Sequence, residues 1–338
     1  AKGFLINAKG YQGRTIGEPS VEPSIRGPQE AFVEVLKINI GLIRRRLRDP
    51  NLCFEVHKLG RRGKSDVAIA YIKGIVDQDI VHEVRKRMDS IDIDNLSTTV
   101  EIGQLISDSP NCIFPLFQST ERPDKVVSAL CEGRVAILMD GSPEAVIVPV
   151  TFPILMQSAD DYFENWIIAS FIRISRYISL LISTLLPALY ISTVSFHPGM
   201  LPTNLALSIA STRSGVPFPV IIEAILMEFV LELLQEASIR LPKVVGQTVS
   251  IVGGLVIGQA AVQAGIVSPI MVIVIAITAV TSFTIPNYSL DISTRTLRIP
   301  FMILATTFGS FGVSVGILWV LTYLCSLESF GVGYMESL

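Results

Sequence analysis

Charged residues are distributed very unevenly along this chain of 338 residues. Of its 27 lysines and arginines, 20 precede Trp166, and so do 23 of its 30 aspartates and glutamates. The remaining 173 residues therefore carry only 7 charges of each sign. A water-soluble domain of that size needs a far more charged surface. The sequence predicts a soluble N-terminal region joined to an integral membrane region.

Four stretches of the second half carry no charged residue and approach the length that a helix needs to cross a bilayer, roughly 20 residues. They are residues 177–196, 244–266, 268–286 and 301–324. A short turn at 265–269 separates the second from the third, which predicts a helical hairpin. Trp166 and Phe171, ahead of the first stretch, are typical of a membrane interface.

A fifth segment, residues 217–237, is as long as a span but carries Glu223, Glu228, Glu232 and Glu236. On a helix the last three share one face, because they are spaced by four residues. An ionised carboxylate is costly in lipid, so such groups face protein or water. Three interpretations are open: a helix lying on the membrane surface, the lining of a pore or vestibule, and ion pairing with a second subunit.

The distribution of basic residues predicts the orientation of the chain. The N-terminal region is rich in arginine and is expected to be cytoplasmic. Two basic loops follow, at 240–243 and 295–298, and both face the cytoplasm if 217–237 spans the membrane. That interpretation gives five spans, with Glu328 onward outside, and we favour it. If 217–237 only dips into the membrane, there are four spans.

The N-terminal half predicts a short linker and one domain. Residues 1–28 are rich in Gly, Pro and Ser and predict a flexible linker. Residues 29–158 predict a small cytoplasmic α/β domain with a mixed sheet. The helical membrane domain then covers 159–338, and the fold class is α+β. Within the α/β domain the runs 67–72, 135–139 and 145–150 are typical of strands, and 77–91 and 123–131 of helices; Asp140-Gly141 predicts a hairpin between two of the strands.

The sequence gives no sign of catalysis, and we predict that the protein is not an enzyme. It has no glycine-rich phosphate loop and no nucleophile elbow, and His57, His82 and His197 are scattered. The four cysteines form no CxxC pair, which favours buried thiols over a zinc site. We therefore predict no catalytic residue, no cofactor and no metal. A net charge of −3 does not indicate a nucleic-acid partner.

Short motifs along most of the chain point to one family. In the soluble region they are Thr120-Glu121-Arg122-Pro123-Asp124, Leu130-Cys131-Glu132-Gly133-Arg134 and Asp140-Gly141-Ser142-Pro143. In the membrane region they are Val216-Pro217-Phe218-Pro219, Ile257-Gly258-Gln259-Ala260-Ala261 and Ile285-Pro286-Asn287-Tyr288. Together these motifs resemble the A subunit of the GerA family of spore germinant receptors.

The resemblance implies a role in sensing nutrients in dormant spores. It implies a multi-pass protein of the spore inner membrane that works with a permease-like B subunit and a lipoprotein C subunit. It also implies that the chain forms a homo-oligomer and a nutrient-gated cation channel. Two competing functions are a signalling scaffold that does not conduct and a secondary transporter.

Polar groups of the membrane region are the candidates for an ion path, because a cation path is lined by carboxylate and amide oxygens. The candidates are Glu223, Glu228, Glu232, Gln259, Asn287 and Asp291. Structural roles compete with this interpretation. Gln259 and Asn287 are also suited to hydrogen bonds between helices, Asn287 to capping a helix, and Asp291 to an ion pair with Arg295.

Overall fold

The computed structural model describes residues 17–19, 21–24, 26–240 and 243–336. The chain divides into two compact units, which we call the α/β unit and the helical unit. The α/β unit comprises Ala1–Ala169 together with Cys325–Leu338, and the helical unit comprises Ser170–Leu324. The predicted boundaries differ from this division, because the last residues of the chain belong with the first unit.

A five-stranded sheet forms the centre of the α/β unit, in the order β1-β2-β4-β5-β3. The strands are β1 (Leu52–Leu59), β2 (Ser65–Ile72), β3 (Gln118–Thr120), β4 (Val135–Met139) and β5 (Ala145–Val148). The helices are α1 (Leu36–Arg46), α2 (Gln78–Asp89), α3 (Thr99–Ile106), α4 (Pro123–Cys131) and the short α5 (Phe152–Leu155). Every pairing in the sheet is antiparallel, so the prediction of a mixed sheet is wrong.

The sheet is buried on both faces, which explains its long apolar runs. Val67, Ile69 and Tyr71 of β2 belong to one hydrophobic cluster, which also contains the buried side chains of α2 and α3. The alternate residues of β2 belong to a second cluster, with side chains of α1 and α4. The predicted hairpin at Asp140-Gly141 is confirmed, because β4 and β5 pair directly across it. Gly141 has φ 90°, which favours glycine there.

The motif at residues 120–124 fastens the N-terminal segment onto this domain. The buried Arg122 side chain pairs with Asp124 at 2.8 Å and donates hydrogen bonds to the carbonyl oxygens of Glu22 and Pro28. Lys125 forms an ion pair with the Glu22 carboxylate at 2.8 Å. From residue 21 onward the described part of the predicted linker is therefore held against the domain, while residues 1–16 lie outside the described residues.

Residues 327–336, after the last helix, also lie in the α/β unit. Strands β6 (Glu328–Ser329) and β7 (Val332–Gly333) form a small hairpin. The Ser329 hydroxyl accepts from the Val150 amide at 3.1 Å and donates to the Leu116 carbonyl oxygen at 2.8 Å. The five-span prediction is therefore wrong in placing Glu328 onward opposite the N-terminal domain.

The helical unit begins within a long helix that starts in the α/β unit. Its helices are α6 (Trp166–Phe196), α7 (Thr203–Arg213), α8 (Val220–Arg240), α9 (Lys243–Gln263), α10 (Pro269–Ser282) and α11 (Tyr288–Ser326). Among the described residues α6 and α11 are long and apolar enough to cross a membrane, so the predicted bundle of four to five spans is not confirmed. The predicted turn at 265–269 is present between α9 and α10.

Helix α11 reverses direction at Gly309, where φ is 62° and ψ is −141°. A Cβ atom at Gly316 would lie 2.7 Å from the Phe301 ring, and one at Gly312 would lie 2.2 Å from the Leu304 carbonyl oxygen. In a straight helix Phe301 and Gly316 would be about 22 Å apart along the axis. Residues 288–308 and 310–326 are therefore two arms of a tight hairpin, and the predicted single span 301–324 is wrong.

The reversal predicts a strict requirement for glycine at position 309. Gly309→Ala places a side chain at a positive φ and within 3.2 Å of the Phe196 ring, so we expect a loss of roughly 1–3 kcal/mol of stability. Thermal unfolding of the purified full chain in detergent measures this. Gly199→Ala is the matched control, since a Cβ there has no neighbour within 4 Å among the described residues. Equal unfolding temperatures for the two variants would contradict the turn.

Candidate functional site

Glu223 is the first candidate carboxylate of α8 and is fully buried. Its Oε2 accepts a hydrogen bond from the Ser268 amide at 2.9 Å, at the start of α10. Its Oε1 lies 3.2 Å from the Arg213 guanidinium at the end of α7. This carboxylate therefore joins three helices, and both of its oxygens have partners within the chain.

Glu228 lies one and a half turns further along α8 and forms the most buried ion pair of the helical unit's described part. Its Oε1 accepts from Arg298 of α11 at 2.6 Å, and the two side chains are 9% and 0% exposed. Arg298 also donates from Nε to the carbonyl oxygen of Ser183 in α6, at 2.6 Å. A buried guanidinium is tolerable only with such partners, because its desolvation is costly. The pair ties α6, α8 and α11 together.

Glu232, the next carboxylate of α8, is 54% exposed. The Arg295 guanidinium lies 3.2 Å from Glu232 and 3.2 Å from Asp291, and it donates to Gln235 at 2.6 Å. The Ser282 hydroxyl donates a hydrogen bond to Asp291. The predicted ion pair of Asp291 with Arg295 is therefore present, but it is largely buried and belongs to a network.

The two amide candidates lie apart from these carboxylates. Asn287 accepts a hydrogen bond from the Leu290 amide at 3.0 Å, so it caps the start of α11, as one of the competing interpretations expected. Gln259 lies on α9 with an exposed side chain. The structure brings together Glu228, Glu232 and Asp291 and leaves Glu223, Gln259 and Asn287 outside that cluster.

Among the described residues, the carboxylate cluster contains more acidic than basic side chains. Three carboxylates, of Glu228, Glu232 and Asp291, face two guanidinium groups, of Arg295 and Arg298. A groove of about 340 Å³ between α8 and α11 is lined by Glu228, Glu232 and Arg295 among apolar side chains. An excess of carboxylate in an apolar groove favours a cation over an anion.

The sequence did not reveal the buried Arg298 as the partner of Glu228. Residues 295–298 were predicted to be a basic cytoplasmic loop, and that prediction is wrong because they lie within α11. The charge of Arg298 is balanced by a residue 70 positions away, which no local pattern reveals. A spacing signal exists only for Asp291 and Arg295, which are four residues apart on one helix.

The chain thus combines an α/β unit, whose sheet is antiparallel, with a unit of long helices. Buried ion pairs hold the helices of the second unit to one another. The family model of the Bacillus/Clostridium GerA spore germination proteins matches residues 1–338. The chain belongs to this family of spore germination proteins.

The chain is also similar to individual proteins. The chain is 50% identical to spore germination protein B1 of Bacillus subtilis (strain 168), over 98% of the chain and 69% of that protein. It is 45% identical to the uncharacterized membrane protein YfkQ of the same strain, over 100% of the chain and 66% of that protein. A solved N-terminal domain of the A subunit of the Bacillus megaterium spore germinant receptor GerK3 is 43% identical. That match covers 36% of the chain and 97% of the domain, with a TM-score of 0.31.

The chain spans about two thirds of the length of the two B. subtilis relatives.

The Glu228–Arg298 pair predicts a characteristic double-variant result. Glu228→Gln leaves a fully buried guanidinium without a counter-charge, so we expect a loss of about 3–5 kcal/mol. Adding Arg298→Met removes that charge and should recover much of the loss. Thermal unfolding of the four proteins (wild type, both singles and the double) measures the coupling. Additive effects of the two single changes would contradict a direct pair.

Proposed function

We propose that the chain is the A subunit of a nutrient-sensing germinant receptor of the spore inner membrane. Family membership across residues 1–338 is the observation that carries this proposal. The proposed partners are a permease-like B subunit and a lipoprotein C subunit, together with further copies of this chain. The chain has no proposed catalytic role in the receptor.

The helical unit is proposed to cross the membrane six times, with the α/β unit in the cytoplasm. The crossing elements are α6, α8, α9, α10 and the two arms of α11. We choose an even number because described residues on both sides of the helical unit belong to the α/β unit. Contacts between helix ends support crossings in alternating directions. Gly309 lies beside Phe196 at the end of α6, and the start of α10 meets the start of α8 through Ser268 and Glu223. The basic residues Arg240 and Lys243 then fall on the cytoplasmic side.

The A subunit is further proposed to form an oligomeric, nutrient-gated cation channel. Support comes from the carboxylate cluster, in which the described part of each chain has three carboxylates and two guanidinium groups. Glu228 is among the residues that line the groove, and its buried Oε2 has no hydrogen-bond partner among the described residues. Glu232 is the exposed carboxylate of the cluster, and in a ring of subunits it would repeat as a ring of acids, which selects cations.

A signalling scaffold that does not conduct is the second candidate. The observation that favours it is the pairing of each candidate carboxylate with an arginine: Glu223 with Arg213, Glu228 with Arg298, and Glu232 and Asp291 with Arg295. Such pairs are sufficient to explain the acidic residues as structural.

Glu232→Gln separates the two candidates. The change removes one charge but leaves Arg295 paired with Asp291, so we expect the fold to survive. If the chain conducts, nutrient-triggered cation release from spores should fall several-fold or change its ion selectivity. Glu232→Asp is the matched control, because it keeps the charge and should keep most of the flux.

Receptor abundance is measured in the same spores. Unchanged flux and selectivity in Glu232→Gln, at normal abundance, would contradict the ion path and favour the scaffold.

A further inference from the structure

The hairpin at the end of the chain is too small to be stable by itself. Strands β6 and β7 have two residues each, and isolated two-stranded hairpins are at best marginal in water. Its turn places Phe330 at φ 52° and Gly331 at φ 81°. A left-handed conformation is strained for a bulky residue such as Phe. The hairpin therefore needs the surface on which it lies.

That surface holds the hairpin by its core residues. The Phe330 ring is buried in the hydrophobic cluster beneath the sheet, with the Arg87 guanidinium 4.4 Å from its centroid. The Phe330 amide donates to Asp108 at 2.8 Å. The Asp108 carboxylate also pairs with Arg87 at 2.7 Å, so the same two residues hold both the ring and the backbone of the turn.

Tyr334 provides the second anchor. Its ring is fully buried between Phe114 and Phe152, at centroid distances of 6.5 and 6.3 Å. Its carbonyl oxygen accepts from the Phe152 amide at 2.8 Å, while its amide donates to Leu327 at 2.9 Å and closes the hairpin. Burial raises the pKa of the Tyr334 hydroxyl, and this hydroxyl has no hydrogen-bond partner in the described part of the chain. The anchor is thus the aromatic ring and not the hydroxyl.

The connection between this hairpin and the last helix is short. The second arm of α11 ends at Ser326, and only Leu327, which is buried, precedes β6. At its other end the arm begins at the Gly309 reversal. A single residue therefore joins the second arm of α11 to the docked hairpin, so the two elements are closely connected along the chain.

We propose that residues 327–334 are a latch that couples the second arm of α11 to the α/β unit, and that the nutrient response passes through it. The latch has two states, docked and released. Its strained turn is stable only in the docked state, and the whole hairpin is released when Phe330 and Tyr334 leave their sites. The proposal rests on the proposed function as a receptor subunit, since it assigns the route by which that receptor responds. It does not require this chain to be the ion path.

The test uses Tyr334→Ala and Tyr334→Phe in the full chain, in spores with the other receptor subunits. Tyr334→Ala removes the ring that fills the site, whereas Tyr334→Phe removes only the unpartnered hydroxyl and is the matched control. Amide hydrogen exchange of the peptide covering 327–336, in receptor extracted from the same spores, reports whether the latch is docked. Nutrient-triggered cation release reports the response, at matched receptor abundance.

We expect Tyr334→Ala to exchange the 327–336 amides at least tenfold faster and to release cations at least tenfold more slowly than Tyr334→Phe. The latch would be overturned if Tyr334→Ala exchanged these amides faster but released cations at a rate within twofold of that of Tyr334→Phe. If Tyr334→Ala fails to accumulate, Ser329→Ala is the second variant, because it removes the hydroxyl that bridges Val150 and Leu116 without opening a large cavity. If Glu232→Gln leaves the ion selectivity unchanged, the proposed ion path fails. The comparison of the two Tyr334 variants still tests the latch in that case.

Discussion

The buried ion pair of Glu228 with Arg298 is the interaction on which the helical unit depends. A charge in an apolar surrounding must find its counter-charge within the protein, so the pair fixes which faces of α8 and α11 meet. The further bond from Arg298 to the Ser183 carbonyl brings in α6. Small residues complete this packing, since Gly312 and Gly316 allow the two arms of α11 to approach closely.

A second constraint acts on the chain as a whole. Both the segment before the helical unit and the segment after it belong to the α/β unit, so the path through the helices must return to where it began. The reversal at Gly309 turns the chain back within the helical unit. The C-terminal hairpin then closes the path by inserting Phe330 and Tyr334 among the aromatic and aliphatic side chains of the α/β unit. The fold of the α/β unit is therefore complete only with residues from both ends of the described chain.

Local signals account for most of what the sequence predicted correctly. Helix α4 and the β4–β5 hairpin follow from a proline at the first turn, a glycine turn and short apolar runs, each within a few residues. Strand β1 was missed because it is an edge strand with charged side chains along it, and β3 because it has three residues. The Gly309 reversal was missed because an uninterrupted apolar run has the same hydropathy whether it continues or folds back. The acidic residues of α8 were found, but their arginine partners lie on other helices, beyond any local pattern.

We expect both ends of the helical unit to lie on one side of the membrane, and single-cysteine labelling measures this. With Cys53, Cys112, Cys131 and Cys325 replaced, one cysteine is introduced at Gln104, Met335 or Gly199, each of which is exposed. A membrane-impermeant maleimide is then applied to right-side-out and inside-out vesicles. We expect Gln104→Cys and Met335→Cys to react from the same face and Gly199→Cys to react from the opposite face. Labelling of Met335→Cys from the same face as Gly199→Cys would contradict it.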